Sequence, residues 1–136
     1  MFPVRPALGA LAMLFACACF ADDTAANRHF AGKVKPLLDS RCVSCHGPDK
    51  VKGALRLDSR AATLKGGDNG PAVVPGKPDE SLLLHAVMHT KPDLEMPPKE
   101  KLTTNDIAVL RRWIEDGAPW PVTATSDVAS LQWKSG

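Results

Sequence analysis

The chain of 136 residues has no tyrosine, and Phe and Trp together bring its aromatic share to only 5%. Aromatic rings bury more apolar area per residue than any other side chain. A single modest domain of this length therefore has little material for a core of its own, a deficit that a large apolar cofactor would make up. A dominant charge is lacking as well: 17 Lys and Arg stand against 15 Asp and Glu, a net charge of +2. That balance argues against nucleic acid and against an anionic membrane surface as partners. Internal repeats are absent, and strand and helix patterns do not alternate. The longest apolar run, Pro6 to Phe20, has roughly 15 residues where a membrane span takes about 20.

That run has the form of a leader. Arg5 places one positive charge ahead of it, and Ala21 is followed by Asp22 and Asp23, where the polar chain begins. Residues 1–21 read as a secretory signal peptide cleaved after Ala21, which puts the mature chain in the periplasm or an equivalent extracytoplasmic compartment with no integral membrane span. An uncleaved anchor is one alternative, and lipoprotein processing at LFAC, with Cys17 lipidated, is another. Of the four cysteines, cleavage removes Cys17 and Cys19 and leaves Cys42 and Cys45. Exported proteins usually form disulfides, yet the only intramolecular pair here would be these two. The chain has no disulfide framework, and the pair has some local task.

In the mature chain, Phe30, Val34, Leu37 and Leu38 fall at helical spacing, with Asn27 as the expected cap and Pro36 as the expected kink or end. Residues 47–80 are loop-rich. LRLD at 55–58 is too short for a strand, Asp58 is placed to cap a brief helix through Leu64, and GGDNGP and VPGKP are turn signals. Ser81 to His89 reads as a helix of about two turns. KPDLEMPPKE is non-helical because of its prolines. A last helix runs from Thr103 to Asp116, with Asp106 at capping-box spacing, an apolar stripe of Ile107, Leu110, Trp113 and Ile114, and Gly117 as its stop. The long glycine- and proline-rich middle has no periodicity of its own and calls for something to pack around.

The segment RCVSCHGPD holds Cys42, Cys45 and His46. A redox dithiol with this spacing belongs in a strand–CxxC–helix setting, which the sequence does not offer. A zinc site would need a fourth ligand, and a histidine directly after a ligating cysteine is poorly placed for the same tetrahedral ion. The third chemistry is covalent haem attachment, of which CxxCH is the signature. Two thiols add across the vinyl groups on one side of a porphyrin, two intervening residues span those vinyls, and the next residue falls under the ring. Cys42 and Cys45 would form the thioethers, and His46 would be the proximal ligand of a single haem c. Covalent attachment takes place on the exported side of the membrane, so the leader supports this reading independently.

Candidates for the opposite face of the iron are Met88, Met96, His29, His85 and His89. Met96 lies in LEMPPK, where the residue before a proline is held extended and Pro97 and Pro98 stiffen the chain beyond it. Such a loop can hold a sulfur ligand at little ordering entropy. A thioether raises the potential. Met88, on a helix beside leucines, reads as core packing. His85 and His89 share a helix face and read as one packed and one exposed residue, with a metal pair or a bis-histidine haem as alternatives. His29 reads as a surface residue and Trp113 as core, near the haem edge. Arg56 and Lys77 are candidate propionate partners, with solvent exposure the preferred reading.

The run of motifs PLLDSRCVSCHG, KGALRLDSR, KGGDNGPAVVPGKPDESLL, LEMPPKEKLT and IAVLRRWIEDGAPWP resembles the planctomycete-type cytochrome c domain over about residues 28–121. The resemblance implies an all-α fold, a small cytochrome c-like helical domain wrapped around one covalently attached haem, with a loop-rich middle. It implies that Phe30 and Trp113 help the first and last helices cross, that His46 is the proximal ligand, and that Met96 is the distal one. The expected organisation is a signal peptide at 1–21, a cytochrome c domain at 22–121 and a tail at 122–136. The expected function is one-electron transfer to redox partner proteins, with no substrate chemistry. The alternatives are a haem enzyme or a gas or peroxide sensor with a labile Met96, and a haem-stabilised interaction module. Such domains usually open longer exported chains, so a free-standing carrier and a piece of a longer protein are both open.

Overall fold

The computed structural model describes residues 24–121. The leader expected at 1–21, with Cys17, and the tail expected at 122–136 lie outside the described residues. Among the described residues the regular elements are all helical, and β-pairing is limited to two isolated bridges, His46–Val51 and Gly67–Gly70. The expected all-α class holds. No helix among these residues is long and apolar enough to cross a membrane.

The described residues open with one uninterrupted helical run. It comprises α1 (Ala25–His29), a π-helical turn (Phe30–Val34) and α2 (Lys35–Arg41). Thr24 caps it, its hydroxyl accepting from the Asn27 amide at 3.1 Å, so Asn27 is the residue capped rather than the cap. The helix also continues past Pro36. The ladder has already shifted in the preceding turn, where the Lys35 amide bonds to the Phe30 carbonyl, five residues back rather than four. The donor that proline lacks therefore falls beside an irregular turn. Phe30, Val34 and Leu38 point into the core.

The middle is short turns and short helices. A 3-10 turn (Lys52–Ala54) precedes α3 (Arg60–Lys65). Ser59, not Asp58, caps α3, accepting from the Ala62 amide at 3.2 Å, because Asp58 is held by the Arg56 guanidinium at 2.9 Å. A second 3-10 turn (Pro78–Glu80) leads into α4 (Leu82–Val87), which stops short of the expected His89. His89 has a positive φ of 56°, which turns the chain off the helix. The buried Ser81 hydroxyl accepts from the Val74 amide at 3.0 Å and donates to the Lys77 carbonyl at 2.9 Å, tying the VPGKP turn to the start of α4.

The last helix, α5 (Thr104–Glu115), forms as its pattern predicts. The Thr103 hydroxyl accepts from the Asp106 amide at 3.1 Å and donates to the Asp106 carboxylate at 2.8 Å. Leu110, Trp113 and Ile114 are buried. The helix crosses the first helical run at an aromatic cluster. Phe30 lies 6.0 Å from Trp113 and 4.6 Å from Trp120, and the two indoles are 6.1 Å apart, centroid to centroid. The Trp113 indole N–H donates to the Pro119 carbonyl at 2.8 Å, which folds Trp120 back onto the crossing. His29, expected at the surface, is half-buried and donates from Nε2 to the Val109 carbonyl at 3.0 Å. The three aromatics among the described residues are thus gathered where the two ends of the domain meet.

Candidate functional site

Cys42 sits at the C-terminal end of α2. The Leu38 carbonyl accepts from both the Cys42 and Val43 amides, at 2.9 and 3.0 Å, and the Cys42 carbonyl accepts from the Cys45 and His46 amides, at 3.1 and 2.9 Å. These bonds wind CVSCH into one tight turn that continues the helix, and both thiols are free. Cys42 is buried, and burial pushes its thiol pKa up to about 11, against a smaller opposing pull from the Arg41 charge. A thiol whose pKa is pushed up by burial is the opposite of the activated thiolate that disulfide exchange uses. No group of three or more His, Cys, Asp and Glu side chains converges among the described residues, so a four-ligand zinc site at this turn finds no support.

His46 is the most constrained side chain here. Its Nδ1 lies 3.0 Å from the Lys52 carbonyl and 3.3 Å from the Leu55 carbonyl. Carbonyls only accept, so Nδ1 carries the proton and the lone pair is left on Nε2. A histidine that ligates a metal is generally held by a bond of this kind from its other nitrogen, which fixes tautomer and ring plane and makes the imidazole a stronger base. The backbone around it is closed: the Lys52 amide donates to the Cys45 carbonyl at 3.0 Å, and the Leu57 amide donates to the His46 carbonyl at 2.8 Å.

Met96 arrives from the other side of the fold. Its amide donates to the Ala86 carbonyl of α4 at 3.1 Å, and the Met96–Pro97 peptide is cis. The loop is also tied to α2, because the Arg41 guanidinium donates to the Glu100 carbonyl at 3.3 Å and faces its carboxylate at 3.5 Å. Cys42, Cys45, His46 and Met96 line one cavity of about 740 Å³, within the roughly 300–1,000 Å³ of cofactor-sized sites. Leu55, Leu57, Ala72, Leu83, Val87 and Leu94 form its apolar wall, and Arg41, Lys52, Asp68, Lys99 and Glu100 bring charge to it.

These features fit a covalently held haem: two free thiols one turn apart, an imidazole with a fixed tautomer, a thioether on the same cavity, and an apolar wall continuous with the core. The remaining candidates lie elsewhere. Met88 packs against the core. His85 has both ring nitrogens engaged, Nε2 to the Asp79 carbonyl at 2.8 Å and Nδ1 to the Thr90 hydroxyl at 3.1 Å. His89 buries an Nε2 without a partner but does not line the cavity. Both histidines are partly buried, where one packed and one exposed residue were expected. Trp113 is in the core but not on the cavity wall. Arg56 pairs with Asp58, and Lys77 pairs with Glu80 at 3.3 Å, each well exposed.

Three features of the site have no local sequence signal: the Lys52 and Leu55 carbonyls behind His46, the Arg41–Glu100 tie, and the apposition of the 52–55 turn with the GGDNG loop. GGDNGP marks a turn around Gly67, but nothing in it says which segment that turn touches.

Residues 42–100 match the family model of planctomycete cytochrome C. The matched segment begins at Cys42, the first cysteine of the CxxCH, and ends at Glu100, so it carries the whole CxxCH turn and the Met96 loop. No curated protein and no solved structure matches the chain.

Proposed function

With a planctomycete cytochrome C domain at residues 42–100 as the premise, we propose that this protein is an exported mono-haem c-type cytochrome that carries single electrons. Cys42 and Cys45 hold the haem by thioethers, and His46 and Met96 are its axial ligands. The bound group supplies one-electron redox chemistry at iron. The chain's own residues set the conditions for it. The two backbone carbonyls that accept from the His46 Nδ1–H fix the ring and strengthen it as a ligand through Nε2. The Met96 thioether favours the reduced ion and raises the potential. The apolar wall packs the haem, and Met96, itself exposed at 36%, marks the edge at which a redox partner approaches.

The observation that carries this reading is the convergence of Cys42, Cys45, His46 and Met96 on one cavity, although 50 residues of sequence separate His46 from Met96. With both axial positions taken, no open site remains for substrate. A haem enzyme or sensor would take His85 or His89 as its acid–base residue, and neither is available at the cavity. His85 is committed to Asp79 and Thr90, and His89 is not on the wall. Export through the expected leader, with cleavage after Ala21, belongs to the same proposal, because thioether attachment occurs outside the cytoplasm.

The test is a visible spectrum, oxidised and reduced, of the protein secreted from a host with haem-attachment machinery, with a haem stain on a denaturing gel. Covalent stain and a weak far-red sulfur-to-iron band that disappears in Met96→Ala are expected. Covalent haem without that band would remove Met96 as a ligand. A chain without covalent haem would sink the proposal.

A further inference from the structure

The turn that holds His46 is itself held from behind. The Lys52 and Leu55 carbonyls that face Nδ1 flank Gly53 and Ala54, both with positive φ, 61° and 54°. The left-handed conformation is free for Gly53 but unfavourable for Ala54, and the turn's own ladder is one bond, from the Leu55 amide to the Lys52 carbonyl at 3.2 Å. The support comes from the GGDNG loop. The Asp68 amide donates to the Gly53 carbonyl at 2.9 Å. Gly67 lies so close that a Cβ on it would overlap the Gly53 carbonyl oxygen and come within 3.0 Å of the Leu55 amide nitrogen and Cβ. The loop is cross-tied in turn, Gly67 and Gly70 exchanging amide–carbonyl bonds at 3.1 and 3.0 Å.

From this contact we infer that the GGDNG loop is the positioning element of the proximal histidine: Gly67 and the Asp68 amide, acting through Gly53, fix the two carbonyls that orient His46 and thereby set the potential of the site. The inference rests on the proposed ligation by His46. It gives the glycine-rich middle of the chain a task beyond turning. Only a residue without a side chain at 67 lets the loop back onto the turn, and only a left-handed residue at 53 points both flanking carbonyls at one imidazole nitrogen. Displacing the turn lengthens the Nδ1–H bond, which makes the imidazole a weaker base. A weaker base stabilises the oxidised iron less, so the potential rises.

The test compares haem-loaded Gly67→Ala, Gly53→Ala and Gly32→Ala. Gly32→Ala is the control, because a Cβ there meets no atom within 4 Å. Two quantities are read: the solvent-exchange rate of the His46 Nδ1 proton by NMR, and the reduction potential. Gly67→Ala and Gly53→Ala are expected to speed that exchange at least tenfold and to raise the potential, with the far-red Met96 band retained and the control unmoved. Should the overlap at Gly67 prevent haem loading, Gly53→Ala carries the test, since its Cβ has open space and acts by backbone strain alone. Exchange rates and potentials that match the control overturn the inference and leave the proposed function standing. A wild-type protein with no resonance from a ligating His46 overturns both.

Discussion

Replacing Phe30 by alanine should loosen the crossing of the first and last helices and leave the cavity as it is. The Phe30 ring is 3% exposed and sits 4.6 Å from Trp120 and 6.0 Å from Trp113. Truncating a buried Phe to Ala removes its transfer free energy and leaves a void, a loss of about 3–5 kcal/mol. Each aromatic pair adds about 0.5–1.5 kcal/mol beyond buried area. Phe30→Leu keeps most of the volume but gives up both pairs, so it should lose about 1–3 kcal/mol. Guanidinium unfolding, followed by tryptophan fluorescence, separates the variants. With a slope of about 4 kcal/mol per M, the midpoint falls by about 1 M for alanine and about half that for leucine. Phe30 is not on the cavity wall, so the far-red band and the potential should stay at their wild-type values. An alanine variant that loses less than about 1 kcal/mol, below the range for a cavity-creating change, would refute the idea that this ring holds the two ends together. Loss of the far-red band would refute the separation of crossing from cavity.

Three further outcomes are expected. Met96→His should abolish the sulfur-to-iron band and lower the reduction potential, because nitrogen favours the oxidised ion more than sulfur does; spectroelectrochemistry reads both. Arg41→Ala removes the tie to Glu100. The pair is part-exposed, 33% and 79%, so stability should fall by less than about 1 kcal/mol, but the Met96 loop should open more readily, and imidazole should bind the oxidised protein up to about fivefold tighter. The Arg56 guanidinium holds the Asp58 carboxyl below its ordinary 3.8, chiefly by a side-chain hydrogen bond. A lowered native value gives stability that is full above about pH 4 and is lost as pH falls through the native value. Arg56→Gln should therefore flatten the acid limb of a stability-against-pH curve by slightly lowering its neutral end, and leave the acid end, where Asp58 is protonated, unchanged, as thermal melts across pH would record.

What could be read from sequence divides along range. The Thr103 cap and the apolar stripe of α5 are local patterns whose physics is complete within a few residues, and each appears as expected. The capping errors are also local. Thr24 competes with Asn27 and Ser59 with Asp58, and in the second case the outcome depends on the Arg56 guanidinium that draws Asp58 aside. The π turn ahead of Pro36 explains why a proline expected to end a helix does not. Contacts between distant segments left no trace: His29 to Val109, Arg41 to Glu100, and Asp68 to Gly53. Nothing in a histidine four residues from a helix start says that a carbonyl near the other end of the chain will receive its proton. Met96 was legible because its prolines mark a stiff loop. The cavity it shares with His46 became visible only in three dimensions.

The π-helical turn at Phe30–Val34 has a consequence for rotational phase. In an α-helix each residue advances about 100°, so positions spaced by four overshoot by about 40° each time. Phe30, Val34 and Leu38 are spaced in that way, yet all three are buried, at 3%, 0% and 0%. One wide turn absorbs the overshoot, since it takes an extra residue to go round once. The aromatic crossing upstream and the CxxCH turn downstream are therefore kept in angular register by a single additional residue. Deleting the exposed Gly32, where an added Cβ would meet no atom within 4 Å, would restore a plain α ladder, with three steps of about 100° in place of a full circle, and swing one end about 60° against the other. A residue with no side chain to pack thus sets the bearing on which the CxxCH turn faces the rest of the domain.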